Sequence, residues 1–443
     1  MKNLSKAFAS VVLILVLIVG SGLTFVGCFG PGRDNTLRLA NWNFFLCPDL
    51  KAEFQTYWRE YTGNSRFTVV EENFSSNSEL HNMMTIGGGD FDLVVPSDYM
   101  VERLIAENRL QALDMSLLGG LTRNTGTTAA PNYQFDPSVI DANITSRIPR
   151  GSQGQHFAVP YLYGTMGIIV DTRVDGLLSA VEHYGWASLW NSVATLTPSW
   201  TNFLERNQMV STKEIGRENF AIAQMVLNRT ELLALSGAAL TTRVQELMGA
   251  APDTQFLTEM EALLNQLPGN TFWEVGDDTL ERFMEDSAEH VMGAEWSVSA
   301  GFVMRWSDEY IEDHSSNFQF VIPREGTNLW INNLVIPTGA RQVTAAHGFI
   351  EWISRPENAV RNMDFTMTST PIIEATTELY EYFTEESEWF AGQTPAWQEN
   401  FLRMLFPSSR PDIFARAGVF RHFPGTSSVP MTALDDLITR VRG

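Results

Sequence analysis

Cysteine and histidine are scarce: two and seven in 443 residues. That excludes a four-thiolate zinc centre and a disulfide scaffold, and no His-Glu-x-x-His motif is present, so neither a metal nor another cofactor is expected. Basic residues are also few, with 30 Lys and Arg against 52 Asp and Glu and a formal charge of −22. Such a surface repels phosphate backbones and tolerates cations, which argues against nucleic acid as a partner. Internal repeats are missing, and so are Gly-x-Ser-x-Gly, a Walker loop and a Gly-x-Gly-x-x-Gly turn after a strand; no enzymatic constellation is left. Gly87-Gly88-Gly89-Asp90 precedes an apolar run rather than a helix, which makes it a turn and not a phosphate cradle.

What is present is apolar residue, 44% of the chain against 19% charged, enough to bury large cores. The length favours two or three domains. Lys2 and Lys6 precede an apolar run over 11–19, continued weakly to Val26 and ending at Gly27 and Cys28. A charged start, a short apolar middle and a small residue before a cut site describe a secretory leader, with an uncleaved membrane anchor as the alternative. Either way the rest of the chain is expected outside the cytoplasmic membrane. The segment resembles a bacterial lipoprotein signal, with Phe25 where Leu is usual; the resemblance implies a lipid on Cys28, residues 1–27 as signal and 28–35 as a tether. Cleavage removes two lysines and moves the charge from −22 to −24. Cys47 then has no partner and is expected as a buried free thiol.

Beyond the tether, strands and helices alternate. Strands are expected over 36–41, 67–71, 91–96, 290–295, 318–322 and 329–336, with two more around 161–164 inside 156–170. Helices are expected over 48–61, 78–86, 218–227, 258–267, 280–287 and 340–354, and a helical stretch begins at 186–190. Segments 122–131 and 250–254 read as loops, and 378–399 as a solvated helix with an apolar underside. This is an α/β layer pattern, whose ligand crevice lies beyond the carboxyl ends of the strands.

Six blocks carry a resemblance. They are Leu39-Ala40-Asn41-Trp42, Ser76-Asn77-Ser78-Glu79, the nine residues from Phe91 to Tyr99, Val159-Pro160-Tyr161-Leu162-Tyr163-Gly164-Thr165, Trp186-Ala187-Ser188-Leu189-Trp190 and the stretch from Gly326 to Pro337. In this order they resemble the spermidine/putrescine-binding proteins of bacterial ABC importers. The resemblance implies a two-lobed periplasmic-binding-protein-like fold with the ligand cleft between lobes: 36–157 in lobe one, 158–336 in lobe two, and 337–443 returning to lobe one with C-terminal helices that reach lobe two. Segments 228–275 and 376–415 match poorly. A monomeric receptor without catalysis is implied, one that hands its ligand to a permease and ATPase.

An alkylammonium taken out of water needs an aromatic face and a paired carboxylate. The resemblance assigns Trp42, Phe45, Ser97, Asp98 and Tyr99 to the cleft from lobe one, and Glu218, Trp296, Trp330 and Asn332 from lobe two. Three acidic positions of the family are changed: Phe44 replaces an acid, Ile215 stands where an acid is usual unless Glu214 shifts into register, and Asn332 replaces an aspartate; Thr368 also falls where a tyrosine is usual. A polyamine stays open if Asp98, Glu214, Glu218 and Glu295 supply charge, Glu214 and Glu295 otherwise being solvated. A monoamine or quaternary amine in an aromatic box, or a zwitterion meeting Arg217 or Arg421, stays open beside it, as do a non-transport surface lipoprotein and an enzyme.

Overall fold

Leu37 and Leu39 point to one side of β1 (Thr36–Trp42), and Leu50, Phe54 and Trp58, four residues apart, form the buried stripe of the helix Pro48–Thr62 laid against it. Pro48 opens that helix and Gly63, at φ 70°, closes it in the left-handed conformation. β2 (Thr68–Phe74) and β3 (Leu93–Val94) flank β1 in parallel, and between them the helix Asn77–Thr85 is capped by the Ser76 hydroxyl, which accepts from the Glu79 N–H. The computed structural model describes residues 33–86, 89–190, 209–213, 216–267, 269, 271–274, 278–284, 290–309, 311–423 and 429–442; the leader, Cys28, Gly87, Gly88, Glu214 and Ile215 lie outside them. Cys47 is buried and free, and burial pushes its thiol pKa up.

Part of the segment expected as a loop over 122–131 is a hairpin of β4 (Thr122–Asn124) and β5 (Tyr133–Phe135). The Asn124 side chain closes it by accepting from the N–H groups of Gly126 and Asn132, both at 2.9 Å. A second difference is larger. In place of two strands around 161–164 there is one, β6 (Ala158–Asp171), with all 14 residues buried. Gly164 is not a break: a Cβ there would strike Ser297 Oγ and the Trp330 indole, so glycine serves close approach within a continuous strand.

The other strands are β7 (Met209–Lys213), β8 (Phe272–Glu274), β9 (His290–Trp296), β10 (Phe318–Val321), β11 (Thr327–Val335) and β12 (Ala417–Gly418). The sheet order is β2-β1-β3-β11-β6-β9-β7-β8, with β10 paired to β6 and β12 to β11. β6 joins the two halves. Up to Thr165 it pairs antiparallel with β11, and from Met166 with β9. Its side chains divide at the same point, Val159 to Tyr163 entering the core of the first half and Met166, Ile168 and Val170 that of the second. Leu329, Trp330, Ile331, Leu334 and Ile336 also pack into the first core.

The poorly matching segments cover the second half. Helices Arg229–Ala234, Gly237–Gly249 and Thr254–Leu264 put Leu232, Val244 and Met260 into its core, and Leu434, Leu437 and Ile438 of the terminal helix Val429–Arg442 join them. The acidic stretch 378–399 is several helical pieces around a third core. Phe383, Phe390, Trp397 and Phe401 are buried there against Phe318 and Phe320, with Trp397 stacked on Phe401 at 5.1 Å and 12°. Among the described residues no helix is long and apolar enough to cross a membrane.

Candidate functional site

The strand ends converge on a cleft of about 1250 Å³, counted out to its open mouth. β1 delivers Trp42, whose indole N–H donates to the Val95 carbonyl at 2.8 Å and whose ring lies 4.7 Å from Phe74. Phe44 follows with a left-handed φ of 60°, which turns its ring away from the cleft; it is 44% exposed and meets Phe302 edge-on at 6.4 Å. Phe44 therefore does not make the cleft more apolar, and Phe45 lines it instead. The rings continue across the molecule: Trp42 to Phe45 at 6.3 Å, Phe45 to Trp330 on β11 at 6.0 Å, and Trp330 to Trp296 at the end of β9 at 6.3 Å and 86°. Aromatic pairs at these spacings and tilts are mutually favourable.

Polar groups sit beside this row. Ser97, at the N-cap of the helix Asp98–Ala106, donates its hydroxyl to Asn332 Oδ1 at 2.8 Å and accepts from Asn77 Nδ2 at 3.0 Å. Asn332 thus ties β11 to the start of the helix Asp98–Ala106. Asp98 Oδ1 accepts from the Tyr99 N–H at 2.6 Å, while Asp98 Oδ2 is buried with no hydrogen-bond partner among the described residues. The same holds for Glu218 Oε2, on the helix Gly216–Leu227, and for Asn328 Oδ1 and Trp330 Nε1. Burial raises the pKa of both Asp98 and Glu218 to about 7. A buried carboxylate oxygen without a donor costs free energy, a cost that an incoming N–H would relieve.

All nine side chains expected at the site, Trp42, Phe45, Ser97, Asp98, Tyr99, Glu218, Trp296, Trp330 and Asn332, line this one cleft. Tyr99 differs in its surroundings, because the Arg217 guanidinium carbon lies 4.1 Å from its ring centre and 4.3 Å from that of Phe423. Arg421 pairs with Glu102 at 2.8 Å. Neither arginine lines the cleft, which removes support for a zwitterion held there by its carboxylate. Glu295 is not solvated: it is buried and paired with Lys213 Nζ at 2.6 Å, and Lys213 is paired with Glu274 as well. Sequence reasoning did not assign Lys213, Glu274, Asn77, Asn328 or Asp435 to the lining. Strand register brings the first two together. Lys213 lies opposite Glu274 in the parallel pairing of β7 with β8, and two residues beyond the Ser211–Gly293 pair that leads to Glu295. A lysine closing a strand whose other residues are uncharged is a local signal that could have flagged it. Among the described residues no group of three or more His, Cys, Asp or Glu could hold a metal ion.

Known proteins resemble this chain in sequence and in fold. The spermidine/putrescine-binding periplasmic protein of Salmonella typhimurium is 25% identical over 327 residues, 74% of each chain. That of Escherichia coli is 25% identical over 361 residues, 81% of this chain and 84% of its own. In three dimensions the spermidine/putrescine ABC transporter substrate-binding protein of Streptococcus pneumoniae superposes with a TM-score of 0.61 at 22% identity, over 92% of this chain and all of that one. The fold is the two-lobed one of periplasmic binding proteins, with the ring-lined cleft where its two halves meet. Residues 52–389 match the model of the bacterial extracellular solute-binding proteins, and it is to this family of transport receptors that the chain belongs.

Proposed function

We propose that the chain captures a polyamine of the spermidine/putrescine class between its two lobes and delivers it to the permease and ATPase of an importer. The observation that carries this reading is the pairing, in one cleft, of a continuous row of aromatic rings with two buried carboxylates, each with one oxygen that has no hydrogen-bond partner among the described residues. Rings accept the methylenes and the charge of an alkylammonium, and a carboxylate removes the cost of desolvating it. Asp98 reaches the cleft from the first half and Glu218 from the second, so a cation between them favours the closed over the open arrangement, as hinge closure requires. The names of the relatives point to the same ligand class.

Thermal denaturation of the full chain in neutral detergent tests this. A ligand at a hundred times its dissociation constant stabilises by about 2.7 kcal/mol, so putrescine or spermidine should raise the melting temperature while glutamate and glucose leave it unmoved. No shift with either amine, together with a shift from an amino acid or a choline-like compound, would overturn the ligand.

The receptor is tethered by lipid on Cys28 and works as a monomer in this reading, which the charged start, the apolar run and the Gly27-Cys28 junction support. Cells fed labelled palmitate should yield a labelled, membrane-associated chain, and Cys28→Ala should yield an unlabelled one. Label that survives the substitution would remove the anchor.

A further inference from the structure

If the cleft takes a linear amine, its carboxylates determine how many ammonium groups it can hold, since each buried ammonium requires a carboxylate partner. Four carboxylates at or just behind the lining are almost wholly removed from water: Asp98, Glu218, Glu274 and Glu295. Two of them are already committed. Lys213 ends β7 with its Nζ between Glu274 of β8 and Glu295 of β9, and all three side chains are buried. Lys213 and Glu274 themselves face the cleft. The other two, Asp98 and Glu218, each hold one oxygen without a partner among the described residues. Asp435 also reaches the lining, from an exposed stretch of the terminal helix, with partial desolvation and the neighbouring Asp436 raising its pKa; it is not among the buried acids.

We propose that Lys213 is a specificity-determining residue: a tethered ammonium that fills one cationic subsite from within the protein, so that two are left and the preferred ligand is a linear diamine rather than a triamine. The third ammonium of a triamine would meet Glu274 already neutralised and the like charge of Lys213 beside it. This inference rests on the amine reading of the cleft and adds the ligand's charge count. Asp98 and Glu218 come from opposite halves, which is the placement a molecule with one ammonium at each end would bridge.

Titration calorimetry on the full chain in neutral detergent, with putrescine and spermidine as probes, decides it. The unaltered protein should bind putrescine about tenfold or more tightly than spermidine, and Lys213→Met should raise the ratio of spermidine to putrescine affinity by at least about tenfold by releasing Glu274. Lys213→Arg should keep the diamine preference. Should Lys213→Met fail to fold with two buried acids unpaired, Lys213→Met/Glu295→Gln leaves Glu274 as the one freed charge and should show the same gain. A spermidine-to-putrescine ratio that is the same with and without Lys213, or an unaltered protein that prefers spermidine, overturns the role of Lys213 and leaves the amine reading standing. Binding of neither amine by the unaltered protein overturns both.

Discussion

Asp98→Asn and Glu218→Gln should each weaken amine binding by about a hundredfold or more while raising the melting temperature of the ligand-free chain. Taking one partner from a buried ion pair costs about 3–5 kcal/mol, and every 1.4 kcal/mol is about tenfold in affinity. The ligand-free protein responds in the opposite sense, because there the charge is the liability. Burial raises Asp98 from 3.8 and Glu218 from 4.5 to about 7. Between the unfolded and folded values the native chain holds more protons than the unfolded one, so the stability contributed by these groups is greatest in acid and falls as pH climbs to about 7. Binding a cation demands the ionised form and reverses the slope. Affinity should rise between pH 6 and pH 8 by about tenfold for each acid that must ionise, and each neutral substitution should remove one such factor. Titration calorimetry at the two pH values, beside melting curves without ligand, measures both slopes. An affinity indifferent to pH in the unaltered protein would mean that neither carboxylate meets the ligand.

Where a feature is set by its near neighbours in the chain, it was legible from residues alone. The stripe of Leu50, Phe54 and Trp58 and the alternation of Leu37 and Leu39 needed only periodicity, whereas the rings of Trp42, Trp296 and Trp330 were placed by the family resemblance. Features that depend on register were not. Lys213 is 61 residues from Glu274 and 82 from Glu295, and nothing near any of them says that three parallel strands end level with one another. Glu295, read alone, is a charge on a strand; only the buried lysine beside it accounts for its burial. Phe44 depended on a backbone angle, since a left-handed φ turns its ring out where an extended residue would have turned it in. Gly164 turns on a related choice: glycine in a strand can mark a break or a close approach, and which it is lay with Trp330, distant in sequence.

Replacing Trp330 with alanine should cost about 3–5 kcal/mol of stability and abolish the melting shift given by amines. Trp330 sits opposite Gly164 in the pairing of β11 with β6, and its indole lies so close over the glycine that a Cβ would approach Cζ2 to 2.7 Å and Cε2 to 3.0 Å. The ring therefore packs on the strand that joins the two halves, and at the same time links Phe45 to Trp296 in the row lining the cleft. Its loss opens a hole in the first core and a gap in the ligand-facing row. Gly164→Ala separates these two effects, since it keeps the ring and displaces it, at about 1–3 kcal/mol of overpacking. The other close neighbour, the Ser297 hydroxyl, can turn aside by giving up its hydrogen bond from the Thr165 N–H. Once Trp330→Ala has made room, the added methyl group should cost little, so the double variant should be more stable than the sum of the single losses implies. Chemical denaturation of the four proteins gives that cycle. Additive losses would instead mean that the indole is not seated on the glycine, and that the ligand-facing row is not anchored to the strand joining the lobes.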